Sequence, residues 1–207
     1  MFKLNMIISH KLKCIFIRIP KTASTSIETF IKKYDPDCIS SIDTPPYGHF
    51  TADDIKNNIN LKIWNEYFKF CFIRNPYDWI VSNYCDNLKF SHLENKELDI
   101  LLDNHYLPTP DKYISADNII VFYILLKKWF NNENQSRFIN DDIDFIGLYE
   151  NIDKDFDYIK NKLNIEDEYQ LDKMNITKKK YELSEDSYKI VDILYKTDLE
   201  LYNNITN

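Results

Sequence analysis

One stretch constrains this chain more than any other: Cys14 to Phe30, CIFIRIPKTASTSIETF. It begins with a short apolar run, Cys14-Ile15-Phe16-Ile17, whose β-branched and aromatic bias is that of a buried strand. Pro20 ends the run, and Lys21, Thr22, Ser24, Thr25 and Ser26 follow as a tight polar cluster. Apolar residues resume at Ile27, Phe30 and Ile31, with helical spacing. Strand, polar turn and helix in that order aim backbone N–H groups and hydroxyls at whatever lies over the helix N-terminus. The helix dipole favours an anion there. Lys21 adds a movable point charge at the mouth of the turn. A capped helix behind a buried strand, with Lys21 solvated, reads equally well from this stretch alone. A Walker A loop does not fit, because it needs G-x-x-x-x-G-K-[ST] and the only glycines in the chain are Gly48 and Gly147.

A second stretch, Phe68 to Tyr84, repeats the pattern as FKFCFIRNPYDWIVSNY. Phe70-Cys71-Phe72-Ile73 is again a short apolar strand, and Arg74 stands at its end. Asn75-Pro76 follows, with Pro suited to the first helical position. Ile80, Val81 and Tyr84 give the next helix an apolar face. Ser82 falls about two turns into that helix, roughly 10 Å along its axis. Arg supplies a planar fork suited to phosphate. The three arginines are Arg18, Arg74 and Arg137, and the first two follow apolar strands beside a Pro turn.

Ile19-Pro20-Lys21-Thr22-Ala23-Ser24-Thr25-Ser26 resembles the 5′-phosphosulfate loop of sulfotransferases. Phe72-Ile73-Arg74-Asn75-Pro76-Tyr77-Asp78, running on to Val81-Ser82-Asn83-Tyr84, resembles their 3′-phosphate motif. The likeness is to the carbohydrate (Golgi-type) sulfotransferases, including soluble bacterial and viral-like members. Gly48-His49-Phe50-Thr51-Ala52, Ile146-Gly147-Leu148-Tyr149-Glu150-Asn151 and Asp198-Leu199-Glu200-Leu201-Tyr202 extend it through nearly the whole chain. One departure stands out. The family loop usually carries glycine where this chain has Ala23-Ser24, which lack glycine's freedom at positive φ.

The resemblance implies 3′-phosphoadenosine 5′-phosphosulfate (PAPS) as donor and a hydroxyl of a carbohydrate or glycan as acceptor, with no metal. Lys21 would meet the charge developing on the bridging oxygen. Thr22, Ala23, Ser24, Thr25 and Ser26 would hold the 5′-phosphate through hydroxyls and N–H groups. Arg74 and Ser82 would hold the 3′-phosphate. Lys178, in the Lys178-Lys179-Lys180 cluster, reads as a contact to that phosphate or to an anionic acceptor, and equally well as a solvated surface charge. His49 is the favoured general base, since the family places its histidine there and imidazole titrates near neutral pH. Glu28, one helical turn past the loop, is the other candidate. Two further classes stay open: a P-loop-like phosphotransferase, and a non-catalytic nucleotide-binding protein on the same fold.

A chain of 207 residues with 44% hydrophobic and 29% charged content reads as a single globular domain over 1–207. A net charge of −7 argues against a nucleic-acid partner. Cys14, Cys38, Cys71 and Cys85 show no zinc spacing, and Cys14 and Cys71 fall within expected buried strands. No apolar run is long enough to span a membrane, and the first ten residues are too short for a cleaved signal. A cytoplasmic or otherwise soluble protein is therefore expected. Nothing in the sequence points to an oligomeric state.

Strands are expected at 13–19, 68–74 and 144–149, and helices at 24–33, from Pro76 to Lys89, from Leu93 to Leu102 and from Asp153 to Leu163. Thr51 reads as an N-cap, with Asp53 and Asp54 in the first turn. Tyr106 to Ser115 reads as a loop, Ile119 to Phe130 as a buried helix, and Ser184 as the cap of one last helix. The alternation implies an α/β, P-loop NTPase-like three-layer fold with a central parallel sheet flanked by helices. Ligands of such folds bind beyond the carboxyl ends of the strands.

Overall fold

The structure, a computed structural model, describes residues 6–40, 49–90, 113–114, 134–171 and 182–206. In chain order the elements are β1 (Ile7–Ser9), β2 (Cys14–Phe16), α1 (Ser24–Tyr34), β3 (Ile39–Ser40), α2 (Ala52–Asn58), α3 (Leu61–Glu66) and β4 (Phe68–Ile73). They continue with α4 (Pro76–Phe90), β5 (Tyr113–Ile114), β6 (Phe145–Leu148), α5 (Ile152–Lys162), β7 (Glu182–Leu183), α6 (Glu185–Leu194) and α7 (Lys196–Thr206). The chain divides into two compact units: Met1–Arg74 with Gln135–Met174, and Asn75–Asn134 with Asn175–Asn207.

The first unit is built on a five-stranded sheet of order β3-β1-β2-β4-β6. β2, β4 and β6 are parallel, with Phe16 opposite Phe70 and Ile73 opposite Leu148. The expected parallel sheet is therefore present only in part, because β1 and β3 run antiparallel to their neighbours and make the sheet mixed. The cause is local. Only His10 to Lys13 separate β1 from β2, too short a connection for a parallel crossover. Lys13 closes that turn at φ 49°, and the Leu12 N–H donates to Ser9 Oγ at 2.9 Å.

Phe70, Cys71, Phe72 and Ile73 are all buried, so β4 is covered on both faces, as its unbroken apolar run requires. Ile27, Phe30 and Ile31 of α1 and Phe156 and Ile159 of α5 join Phe16, Phe70 and Phe72 in one core. Phe16 stacks on Phe70 at 5.0 Å between centroids, and Phe30 meets Phe156 edge-on at 4.6 Å. Gly147 faces Phe72 across the β4–β6 pair, and a Cβ there would lie 2.5 Å from the Phe72 ring. The N-cap read at Thr51 is a full capping box: Thr51 Oγ1 accepts from the Asp54 N–H at 3.0 Å, and Asp54 Oδ2 accepts from the Thr51 N–H at 2.9 Å.

In the second unit α4 starts at Pro76, and the Asn75 side chain accepts from the Tyr77 N–H at 3.0 Å. Trp79, Ile80, Tyr84 and Cys85 pack with Leu183, Val191 and Tyr195. β5 and β7 pair in parallel. Ser184 caps α6 as expected, but the single last helix is two, interrupted at Tyr195. Tyr188 and Ile193 of α6 are exposed at 46% and 77%. The helices expected at 93–102 and 119–130 and the lysines 178–180 lie outside the described residues, as does the loop from Tyr106 except for β5. Among the described residues no helix is long and apolar enough to cross a membrane.

Candidate functional site

The loop leaving β2 keeps the strand's direction for one more residue, since the Ile17 N–H donates to the Phe70 carbonyl at 2.9 Å. It then turns sharply. Lys21 and Ala23 both have left-handed backbones, at φ 62° and 63°. Thr22, between them, is fully buried, and its hydroxyl donates to the Ile19 carbonyl at 2.9 Å. That hydrogen bond pins the turn and commits the hydroxyl proton inward, so what Thr22 can offer an anion is its N–H. The missing glycine thus does not prevent the turn; Ala23 adopts φ 63°, ψ 21° directly.

α1 begins at Ser24 with no side-chain cap at Ala23. Its bonding starts with the Ile27 N–H donating to the Ala23 carbonyl at 3.1 Å. The N–H groups of Ser24 and Thr25 accordingly have no acceptor within the helix. The capped-helix reading of this stretch is not what the chain builds. An uncapped helix end behind two left-handed residues is a nest of amide donors suited to an anion.

His49 is tied to the same loop. Its Nδ1 lies 2.9 Å from the main-chain carbonyl oxygen of Arg18. A carbonyl has no proton to give, so Nδ1 carries the hydrogen and donates it, leaving a lone pair on Nε2. The ring meets Phe138 edge-on at 6.3 Å. Burial pushes the imidazole down to about 4; the bond to the Arg18 carbonyl opposes that shift and the Arg18 charge adds to it. The ring is therefore neutral at physiological pH. Glu28, the other candidate base, is committed elsewhere. It is 1% exposed, Arg18 Nη1 lies 3.2 Å from its Oε2, Lys32 Nζ lies 2.7 Å from its Oε1, and Ser40 Oγ donates to Oε1.

Arg74 stands at the carboxyl end of β4, beside the end of β2, because the two strands are parallel neighbours. Its N–H donates to Gln135 Oε1, and its carbonyl accepts from Gln135 Nε2, both at 2.8 Å. The Gln135 side chain is thus a reciprocal clamp on the Arg74 backbone, and Gln135 itself is 1% exposed. The guanidinium lies 4.5 Å from the Tyr149 ring centroid, a cation–π contact from the end of the adjacent parallel strand β6. Arg74 Nε is buried and has no hydrogen-bond partner among the described residues.

The first unit therefore brings Lys21–Ser26, His49 and Arg74 to the carboxyl edge of β2 and β4. Ser82 is a buried residue of α4 in the second unit. Lys178 and Gly48 lie outside the described residues. The sequence pattern alone assigned no role to Arg18, Gln135 or Tyr149. Arg18 carried a signal in its position after an apolar strand and before Pro20. Gln135 carried none, since its partner is 61 residues away in the chain. Among the described residues no group of three or more His, Cys, Asp or Glu side chains is placed to hold a metal ion.

Comparison with known proteins agrees with this geometry at one level. No curated protein and no solved structure matches the chain. A family model described as the sulfotransferase family matches residues 4–203. That span takes in the loop after β2, the strand end at Arg74 and the Tyr149 turn in the order the sheet uses them, and the chain belongs to the sulfotransferase family.

Proposed function

We propose that this sulfotransferase moves the sulfuryl group of 3′-phosphoadenosine 5′-phosphosulfate to a hydroxyl of a carbohydrate acceptor, on a single P-loop NTPase-like domain. The observation that carries the reading is the uncapped α1 N-terminus behind the left-handed Lys21–Ala23 turn, at the carboxyl edge of parallel strands. The amides of residues 22–26 take the 5′-phosphate. Lys21 takes the charge that develops on the bridging oxygen as the S–O bond breaks. Arg74 takes the 3′-phosphate, its fork aligned by Tyr149 and its backbone by Gln135. Ser82 enters this assignment on the sequence resemblance, and Lys178 as a member of the Lys178-Lys179-Lys180 basic cluster.

The acceptor oxygen attacks sulfur in line with the departing phosphate oxygen, and the acceptor proton passes to His49 Nε2. The products are a sulfate ester and adenosine 3′,5′-bisphosphate. Catalysis on this scheme is positioning plus charge stabilisation, as in phosphoryl transfer. The test is transfer of labelled sulfuryl from the donor to a panel of glycans, with and without chelator, by the wild type and by Lys21→Ala. Transfer that survives chelation and is lost in Lys21→Ala supports the reading. Transfer of phosphate from ATP, restored only by magnesium, would replace it with the phosphotransferase reading.

A further inference from the structure

We propose that Arg18 and Glu28 are positioning residues for His49: the Arg18 main-chain carbonyl locks the imidazole as its Nδ1–H tautomer, and Glu28 holds the Arg18 segment in place. This rests on the reading of His49 as the base. Three observations carry it. The His49 Nδ1 to Arg18 oxygen distance is 2.9 Å, and the acceptor is a carbonyl, which permits only one tautomer. The Arg18 guanidinium reaches back to Glu28 at 3.2 Å, with the two side chains 10% and 2% exposed. Glu28 sits on α1, so the ion pair ties the end of β2 to the helix that follows the phosphate loop.

A buried charge pair of this kind is weak evidence of stability, but removing Glu28 would leave the Arg18 guanidinium buried without its carboxylate, so the pair constrains where Arg18 can sit. What it fixes here is the peptide at residue 18. Lys32 and the Ser40 hydroxyl hold the remaining carboxylate oxygen of Glu28, so the anchor does not swing. The lone pair on Nε2 is then presented at every pH where the ring is neutral. The other tautomer would put a hydrogen on Nε2 and block proton uptake there. Burial and the Arg18 charge favour the neutral ring, in the same sense.

The test is nitrogen NMR of the full chain labelled at histidine, with His49→Ala to assign the signals, alongside steady-state kinetics. The wild type should show His49 at neutral pH with a protonated Nδ1 and an unprotonated Nε2. Glu28→Gln keeps the shape but loses the charge. It should populate the Nε2–H tautomer and lower kcat, by up to the roughly 10²–10⁴-fold that a general base contributes, with donor KM little changed; Glu28→Asp should recover part of the rate. A wild-type spectrum with Nε2 protonated overturns the proposal without any variant having to fold. Glu28→Gln with the wild-type tautomer and wild-type kcat overturns the role of Glu28. The tautomer is read without turnover, so a locked Nδ1–H ring in an enzyme whose His49→Ala variant keeps full activity would sink the base assignment and not the lock.

Discussion

Replacing Ala23 with glycine should stabilise this protein. Ala23 sits at φ 63°, ψ 21°, where an L-residue with a Cβ loses roughly 1–2 kcal/mol relative to a right-handed backbone. Glycine removes that strain and returns about 0.5–1 kcal/mol of it as extra freedom in the unfolded chain. Ala23 is also the N-cap of α1 and caps nothing, a position where glycine is preferred over alanine. The net expectation is a gain of about 1 kcal/mol, or about 2–4 °C in Tm for a chain of this size. Valine at the same position is the control. A β-branched residue at positive φ is a true outlier, so Ala23→Val should lower Tm by at least as much. The assay is thermal melting followed by circular dichroism at one protein concentration. A glycine variant that melts below the wild type, beside a valine variant that does not, would mean that residue 23 is not left-handed. The amide nest built on it would fall as well.

Gln135→Ala should strip both partners from the Arg74 peptide and destabilise by about 1–3 kcal/mol, read from urea midpoints, while also weakening adenosine 3′,5′-bisphosphate binding. Gly147→Ala should cost about 1–3 kcal/mol by overpacking, because the new Cβ would start 2.5 Å from the buried Phe72 ring; unchanged stability would refute that packing. The rate should be flat around neutrality and fall only as pH drops through about 4, where the depressed His49 imidazole takes a proton; a limb near 6.5 would show the ring to be solvated. For stability the sign is the same. The unfolded histidine protonates first, so the contribution of His49 is complete above about 6.5 and is lost progressively down to about 4.

The strand–turn–helix units were legible because each is written locally. Cys14 to Phe30 and Phe68 to Tyr84 switch from an apolar run through Pro to a helical period within a few residues, and both units form, although the strand expected at 13–19 is only Cys14–Phe16. Thr51 and Ser184 announce their helices by side chains that bond three residues ahead. β1 was not legible, since three residues ahead of a short hairpin carry too little pattern, and with it the mixed character of the sheet was lost. The Thr and Ser cluster pointed to hydroxyls free in the loop after β2, but whether a hydroxyl faces a ligand or its own backbone depends on the turn; Thr22 bonds Ile19. The clamp on Arg74 and the carbonyl on His49 are side chain to backbone contacts between distant segments, and neither residue pattern nor spacing encodes them. The break at Tyr195 has no Pro or Gly to mark it; the residue is buried against Trp79 at 5.8 Å between ring centroids.

Calorimetric titration of the wild type and Arg74→Lys with adenosine 3′,5′-bisphosphate and with adenosine 5′-monophosphate bears most directly on the central claim. The bisphosphate should bind roughly ten- to hundred-fold more tightly, the equivalent of about 1.5–3 kcal/mol of charge-assisted contact. Arg74→Lys should lose much of that preference, because a point charge replaces a fork seated on Tyr149. Equal affinity of the wild type for the two nucleotides would contradict the assignment of Arg74 and, with it, the donor.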